Sequence, residues 1–353
     1  MTTIKKLNLT NCRHFESFSI VPCSNLNLIT GANASGKTTI LEAIYVLAHG
    51  KSFRTSTLDT IIKKNEDMVT IFSEIGALDS SDEQEQVGLQ KIRGQSINLH
   101  INKEAIKSIK KLTEKLPIQL ITTESTRFFT DGPKLRREFL AWGLFYTNEN
   151  YYACWRSYQR ALAQRNRVLK NKQHPDDLRI WDNTFIESAN HLDQFNKAYL
   201  SLFEPIFYQI LSDFLPGLDL TLLYNRGWSE DVTLDQALQA DLDKSYALGY
   251  TTKGQHRLDL QLIIDNKEAQ HVLSRGQLKM ASYALSLAQG LVLKKLTGKA
   301  PVYLIDDLSA ELDQNRQKLV FELLNTLNSQ IFVTSIEQMG LNTSFLTSKI
   351  INL

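Results

Sequence analysis

The run Gly31-Ala32-Asn33-Ala34-Ser35-Gly36-Lys37-Thr38 has the spacing G-x-x-x-x-G-K-[ST] of a loop that wraps a polyphosphate. Its two glycines remove Cβ atoms that would keep backbone N–H groups away from the phosphates. Lys37 is expected to reach the β- and γ-phosphates, and the Thr38 hydroxyl to ligate Mg2+. Asn33, Ser35 and Thr39 join the candidate nucleotide contacts. Far downstream, Val302-Tyr303-Leu304-Ile305-Asp306-Asp307 is an apolar run closed by two carboxylates, a Walker B pattern. Asp306 would complete the Mg2+ shell, and Asp307 would polarise an attacking water. Lys37, Asp306 and Asp307 are the candidate catalytic groups, together with Ser274, taken up below.

These side chains work only if the chain gathers them at the carboxyl end of a parallel sheet, where ligands of open α/β sheets bind. The flanks fit that requirement. Leu26–Ile29 reads as a short apolar strand before the loop, and Thr39–Ala48 has apolar residues at helical spacing after it. A phosphate there meets the positive end of the helix dipole. Ile4–Val21 alternates like two strands joined near Asn11-Cys12-Arg13, and further strands are predicted around Val69–Ile75 and Ile97–Ile101. The acidic run Asp79–Glu85 is expected to be an exposed turn. From about Leu116 to Tyr250 the text changes to amphipathic stretches rich in Trp, Tyr and Arg, with Trp155, Tyr158, Leu162 and Leu169 on one helical face. The α/β rhythm then returns: Arg257–Ile264 a strand, Gly276–Leu296 a helix, Pro301–Asp306 a buried strand, Gln314–Leu327 a helix and Ile331–Thr334 a strand. The expected organisation is a nucleotide-binding lobe from residues 1–115 and 251–353, split by a mostly helical lobe of residues 116–250.

Composition limits the answer without choosing it. At 353 residues, 42% hydrophobic and 22% charged, the chain suits two globular domains or one with a large insertion. A formal charge of +2 does not by itself argue for a polyanionic partner, so any such partner must meet a local patch. Cys12, Cys23 and Cys154 form no C-x-x-C pair, so neither a zinc ribbon nor a disulfide framework is indicated and buried thiols are expected. No apolar run approaches the roughly 18 residues of a membrane span, and the first residues lack the apolar core of a signal peptide. A soluble, cytoplasmic protein is expected.

Between the two Walker motifs, Leu273-Ser274-Arg275-Gly276-Gln277-Leu278-Lys279 resembles the ABC signature, in which a serine and a glycine at a helix start bind the γ-phosphate held by a second protomer. The same serine also reads as a helix N-cap. Ser309-Ala310-Glu311-Leu312-Asp313 resembles a D-loop. An ABC transporter's nucleotide-binding subunit shares these motifs but would show an aromatic before Walker A, a switch histidine and a clear Q-loop. A P-loop kinase or GTPase would lack the S-x-G-Q and D-loop elements. An SMC head would separate its motifs by long heptad arrays, which are absent here.

The compact arrangement resembles the RecF family of bacterial recombination mediators nearly end to end. The resemblance is carried by Gly31–Thr38, Leu47–Arg54, Asp131–Leu140, Tyr158–Asn166, Thr251–Leu260, Leu273–Lys279 and Leu304–Asp313. It implies an ABC-type P-loop ATPase head with an inserted second lobe and no long coiled coil, binding ATP and Mg2+. It further implies weak DNA-stimulated hydrolysis, an ATP-dependent homodimer, binding to duplex, gapped or junction DNA with single strand as the further option, and work with RecO and RecR in recombinase loading and the SOS response. Ser274 and Gly276 then serve a partner's nucleotide, and Arg54 and Arg13 become further phosphate candidates. Some positions depart from the family pattern. Ala34 stands where a third loop glycine is common, no proline precedes His256, Thr334 or Ser335 occupies the switch-histidine position, and Asp307 replaces the usual Glu. The shorter acid implies slow hydrolysis.

For DNA, Lys103, Lys107, Lys110, Lys111 and Lys115 are expected to line one face of a helix, a pattern that tracks phosphates or simply faces solvent. Arg136, Arg137, Arg160, Arg165 and Arg167 form a competing patch.

Overall fold

In the computed structural model, which describes residues 2–77, 84–308, 314–335 and 347–353, the chain forms two units. Residues 1–125 and 279–353 make the first, and residues 126–278 the second. The first begins with β1 (Thr2–Cys12) and β2 (Phe15–Ile20), then β3 (Leu26–Thr30), the phosphate-loop segment and α1 (Lys37–His49). Next come β4 (Met68–Ala77), β5 (Gln84–Ile92), β6 (Ile97–Ile101), β7 (Glu104–Ile106), α2 (Lys110–Lys115) and β8 (Ile118–Ile121). An antiparallel sheet runs in the order β2-β1-β4-β5-β6-β7. Its apolar face, with Leu7, Leu9, Ile71 and Leu89, shares one core with α1. Helix α1 is apolar on most of its circumference because it packs between sheets rather than on a surface.

The second unit holds α3 (Arg127–Thr130), α4 (Pro133–Thr147), α5 (Tyr151–Lys170), the 39-residue α6 (Asp176–Phe214), β9 (Thr221–Asn225), α7 (Leu234–Ala240) and α8 (Leu242–Leu248). Two more strands, β10 (Asp259–Ile264) and β11 (Lys267–Glu268), pair with β9 as an antiparallel sheet in the order β11-β10-β9. Tyr199, Phe203 and Phe207 stack along α6, with ring centroids 5.9 and 5.6 Å apart. A Cβ at Gly143 would overlap the Tyr199 ring, so this glycine lets α4 and α6 pack closely.

Helix α9 (Arg275–Thr297) leads to β12 (Val302–Ile305), α10 (Gln314–Leu327), β13 (Ile331–Ser335) and β14 (Ser348–Asn352). These strands join β3 and β8 in a second sheet, β14-β3-β13-β12-β8, whose neighbours are all parallel. β3, β12 and β13 are buried throughout, as parallel strands covered on both faces should be. Gln330 ties the two sheets of this unit together. Its Oε1 accepts from the Ile4 amide at 2.8 Å, and its Nε2 donates to the carbonyls of Ile4 and Cys23 at 2.9 and 2.8 Å.

Both lobe boundaries differ from the sequence expectation of 116–250. Residues 118–121 form β8, which pairs in parallel with β12 and so belongs to the nucleotide-binding unit. Residues 251–278 belong to the second unit, because β10 pairs with β9 inside it. The strands β5, β7, β9 and β14 carried no strong sequence signal. Within the predicted amphipathic face, Tyr158, Leu162 and Leu169 are buried but Trp155 is exposed. The acidic run at 79–83 lies outside the described residues, and Gln84 and Glu85 open β5.

Replacing Gln330 by Leu removes the side-chain partner of the buried Ile4 amide and carbonyl, while the Cys23 carbonyl keeps Asn27, at a cost of about 1–3 kcal/mol for each unsatisfied group. Gln330→Leu is therefore expected to lower the guanidinium midpoint of the first unit clearly. An unshifted midpoint would show that the stitch contributes little.

Candidate functional site: a phosphate loop facing a carboxylate

The loop turns from β3 into α1 through left-handed backbone. Gly36 has φ 108°, and Ala34 has φ 66°, a conformation that costs a residue with a Cβ roughly 1–2 kcal/mol. A Cβ at Gly36 would overlap the rings of His14 and Phe15, so this glycine also lets the β1–β2 turn lie against the loop. His14 Nε2 sits 3.0 Å from the Ser35 carbonyl oxygen. Lys37 bends back over the loop, and its ammonium donates to the carbonyls of Gly31 and Ala32 at 2.7 and 2.8 Å.

Because β3, β13 and β12 lie side by side in parallel, their carboxyl ends meet. The Thr38 hydroxyl donates to Asp306 at 3.0 Å from Oδ1. The Thr334 hydroxyl, from the end of β13, donates to the same Oδ1 at 2.7 Å and accepts the Asp307 amide at 2.8 Å. Asp307 has φ 56°, left-handed backbone that this amide bond holds in place. Thr334 thus orients one acid and fixes the turn that carries the other.

A buried carboxylate organises the other wall. Glu42 on α1 is 1% exposed. It accepts from Arg13 Nε at 3.0 Å and Nη2 at 2.6 Å, from the Ser52 hydroxyl at 2.5 Å and from Arg54 Nη1 at 3.4 Å. Arg13, Arg54, Lys37, Lys63, Lys64 and Arg93 line one cleft of about 1060 Å³ together with the acids Asp59, Asp306 and Asp307. The cleft is mainly cationic, which suits a polyphosphate. Sequence reasoning missed Glu42 and Ser52. A glutamate between Leu41 and Ala43, on a helix apolar on most of its circumference, was the available signal.

The residues fit Mg·ATP. The Ser35 hydroxyl oxygen is buried without a hydrogen-bond partner, and Lys37 is satisfied only by loop carbonyls. Thr38 and Asp306 offer adjacent hard oxygen donors, the set Mg2+ prefers when phosphates complete its shell. Among the described residues no cluster of three or more His, Cys, Asp or Glu forms a separate metal site. No described helix is long and apolar enough to cross a membrane.

In the second unit, Ser274 opens α9 with a reciprocal cap. Its amide donates to Gln277 Oε1 at 2.9 Å, and its hydroxyl accepts the Gln277 amide at 3.3 Å. Gly276 follows in the first turn. Ser309–Asp313 lies outside the described residues. The lysine stripe is corrected: no single helix holds it. Lys103 occupies the β6–β7 turn with φ 70°, Lys107 follows β7, and only Lys110, Lys111 and Lys115 lie on the six-residue α2. Lys110 pairs with Glu114, and Lys115 with Glu85 at 2.7 Å. In the competing patch, Arg136 is held by Asp259, Arg165 by Asp182, and Arg137 donates to the Leu258 carbonyl. Arg160 and Arg167 stay exposed.

His256 is a packing residue of the second unit. Its Nδ1 lies 2.8 Å from the Tyr158 hydroxyl and its Nε2 2.8 Å from the Thr251 carbonyl, an arrangement that a neutral ring with hydrogen on Nε2 satisfies. Burial lowers its pKa to about 4, with Arg257, Arg137 and Arg165 adding to the effect.

Fold and site together define an ABC-type P-loop ATPase head. A family model described as the RecF/RecN/SMC N-terminal domain matches residues 3–352. The DNA replication and repair protein RecF of Shewanella pealeana is 38% identical over 345 residues, covering 98% of this chain and 95% of that one. The solved structure of the recombination mediator RecF with ATPrS is 25% identical, with a TM-score of 0.83, covering 96% of this chain and 93% of that one. RecF with ATP, 24% identical, gives a TM-score of 0.86 over 97% and 94%. The chain belongs to the RecF family.

Two outcomes follow from these contacts. Thr334→Val removes a hydrogen bond to a charged carboxylate, worth about 1.5–3 kcal/mol, while Thr334→Ser keeps it. Single-turnover ATP hydrolysis across a Mg2+ titration should therefore fall at least about tenfold for the valine variant and recover for serine. A valine variant equal to wild type would remove Thr334 from the site's design. For His256, the unfolded ring binds a proton near pH 6.5 but the folded one only near 4. Its stabilising contribution is complete above pH 6.5 and fades as pH falls towards 4. The urea midpoint of the second unit should drop across that window, and less steeply in His256→Asn.

Proposed function

We propose that this chain is a cytoplasmic, ATP-dependent, DNA-binding recombination mediator. The reading rests on the clustering of Lys37, Thr38, Asp306 and Thr334 at one sheet edge, in a chain whose relatives carry the name DNA replication and repair protein RecF. Gly31–Thr38 and Thr39 cradle the triphosphate, with Asn33 and Ser35 facing it and Arg13 and Arg54 supplying further charge. Thr38 and Asp306 would hold Mg2+, which would supply Lewis-acid stabilisation of the charge that develops on the phosphates. Asp307 orients the attacking water.

Ser274 and Gly276 of a second copy grip the terminal phosphate, so ATP binding is coupled to dimerisation and hydrolysis to release. The dimer holds duplex or gapped DNA, and DNA stimulates a slow ATPase. RecO and RecR are the partners with which it promotes recombinase loading at replication gaps and in the SOS response.

Gel filtration with and without Mg·ATP, followed by filter binding on gapped duplex, tests this. Wild type should dimerise only with ATP and retain the DNA. Ser274→Arg should keep ATP affinity and lose the ATP-dependent dimer, Lys37→Ala should lose nucleotide binding, and Asp307→Asn should accumulate the dimer. A Ser274→Arg dimer of undiminished affinity would overturn the two-copy site.

A further inference from the structure

Helix α5 carries no Asp or Glu in its 20 residues. Its inner face buries Tyr158, Leu162 and Leu169, and the one inward cation, Arg165, is neutralised by Asp182 at 2.5 Å. The remaining cations, Arg156, Arg160, Arg167 and Lys170, are all exposed. At about 100° per residue they fall within a sector of about 80°, and at about 1.5 Å per residue they span roughly 21 Å. Among the described residues none of the four makes an ion pair.

Solvated faces elsewhere in this chain are built differently. Lys134 has Glu138 one turn on, Lys197 has Asp193 one turn back, and Lys318 has Glu322 one turn on. A row of unpaired like charges costs stability through repulsion, so the absence of acids from α5 calls for a ligand that supplies the negative charge.

Tyr152 lies in the same sector one turn before Arg156, and Trp155 flanks the row's amino-terminal end about 60° outside it, on the side of the buried face. Trp155 is 39% exposed. Tyr152 stacks on it with centroids 6.2 Å apart and planes 25° apart, and the Arg156 guanidinium carbon lies 6.0 Å from the Tyr152 centroid. Phe145 braces Tyr152 edge-on at 6.0 Å. An indole held beside one end of a cation row, with Tyr152 between it and Arg156, matches a chain that alternates phosphates with free base faces. Duplex DNA hides those faces, whereas a single strand presents them.

We propose that the exposed face of α5, from Trp155 to Lys170, is a track for single-stranded nucleic acid. This rests on the DNA-binding reading above and deepens it, by naming the surface and the strandedness.

The test uses the full chain, labelled oligo-dT and a blunt duplex of equal length. Variants are Trp155→Ala and the triple Arg156→Ala/Arg160→Ala/Arg167→Ala, with ATP affinity as the check of folding. Wild type should bind oligo-dT. The triple variant should flatten the slope of log affinity against log salt by about 2, three contacts at about 0.7 each. Trp155→Ala should weaken oligo-dT roughly 5- to 150-fold and leave the duplex unchanged. An unchanged salt slope overturns the track, as does equal weakening of the blunt duplex by Trp155→Ala. Competition by poly-glutamate as effective as by oligo-dT also overturns it, because charge alone would then explain binding. Wild type that binds gapped duplex but not oligo-dT sinks this inference alone. Wild type that binds no DNA sinks the DNA-binding reading as well.

Discussion

One carboxylate receives hydroxyls from two elements that are distant in sequence. Thr38 begins α1 and Thr334 ends β13, and both reach Asp306 at the end of β12. That convergence needs β3, β13 and β12 to be adjacent, parallel and in register, with their carboxyl ends at one edge. The strands supply it because they are apolar on both faces and unable to expose either side to water. Gln330 adds a polar pin at the amino end of β13, serving the Ile4 amide and carbonyl and sharing the Cys23 carbonyl with Asn27. Geometry at the site is thus set by burial well behind it. Two neutral hydroxyls offset only part of the desolvation of an anion, so Asp306 remains a strong acceptor for a divalent cation.

Glu42 plays the opposite part on the other wall. Burying a carboxylate is costly unless it is paired, and here two guanidinium groups and a hydroxyl pair it. The exchange works in both directions, since the same acid fixes where those cations stand. Arg13 is held by two short bonds, whereas Arg54 makes one longer contact and is 44% exposed. Arg13 is therefore the preorganised charge and Arg54 the adaptable one. The cleft keeps an excess of positive charge after Glu42 is counted, as a triphosphate requires.

Much of this was legible in the sequence because the informative signals are local. Gly36 and Lys37 declare a loop through spacing alone. The strand Val302–Ile305 and the helices Arg275–Thr297 and Gln314–Leu327 declare themselves through apolar periodicity. What escaped depends on pairing across long separations. The strand β8 is four residues long and becomes recognisable only through its parallel partner β12, so the lobe boundary was drawn ahead of it. The lysine stripe failed because periodicity alone does not exclude a hairpin: Asn102 and Lys103 both adopt positive φ and turn the chain back on β6. Glu42 escaped because a helix surrounded by core gives no polar face against which a buried acid stands out.

The serine at the start of α9 was readable either as a cap or as a phosphate ligand, and its geometry makes the two roles compatible. In the cap, the Ser274 oxygen accepts from the Gln277 amide, while Gln277 Oε1 accepts from the Ser274 amide. Capping therefore uses a lone pair of the hydroxyl and leaves its hydrogen available to donate. A phosphate oxygen needs a donor, and Gly276 leaves the first turn without a Cβ to obstruct its approach. An arginine at position 274 removes the hydroxyl and fills that approach, whereas the Lys37 cleft of the same chain keeps all its own contacts. Loss of a dimer without loss of nucleotide binding is thus the signature that separates a ligand supplied in trans from a serine that only ends a helix.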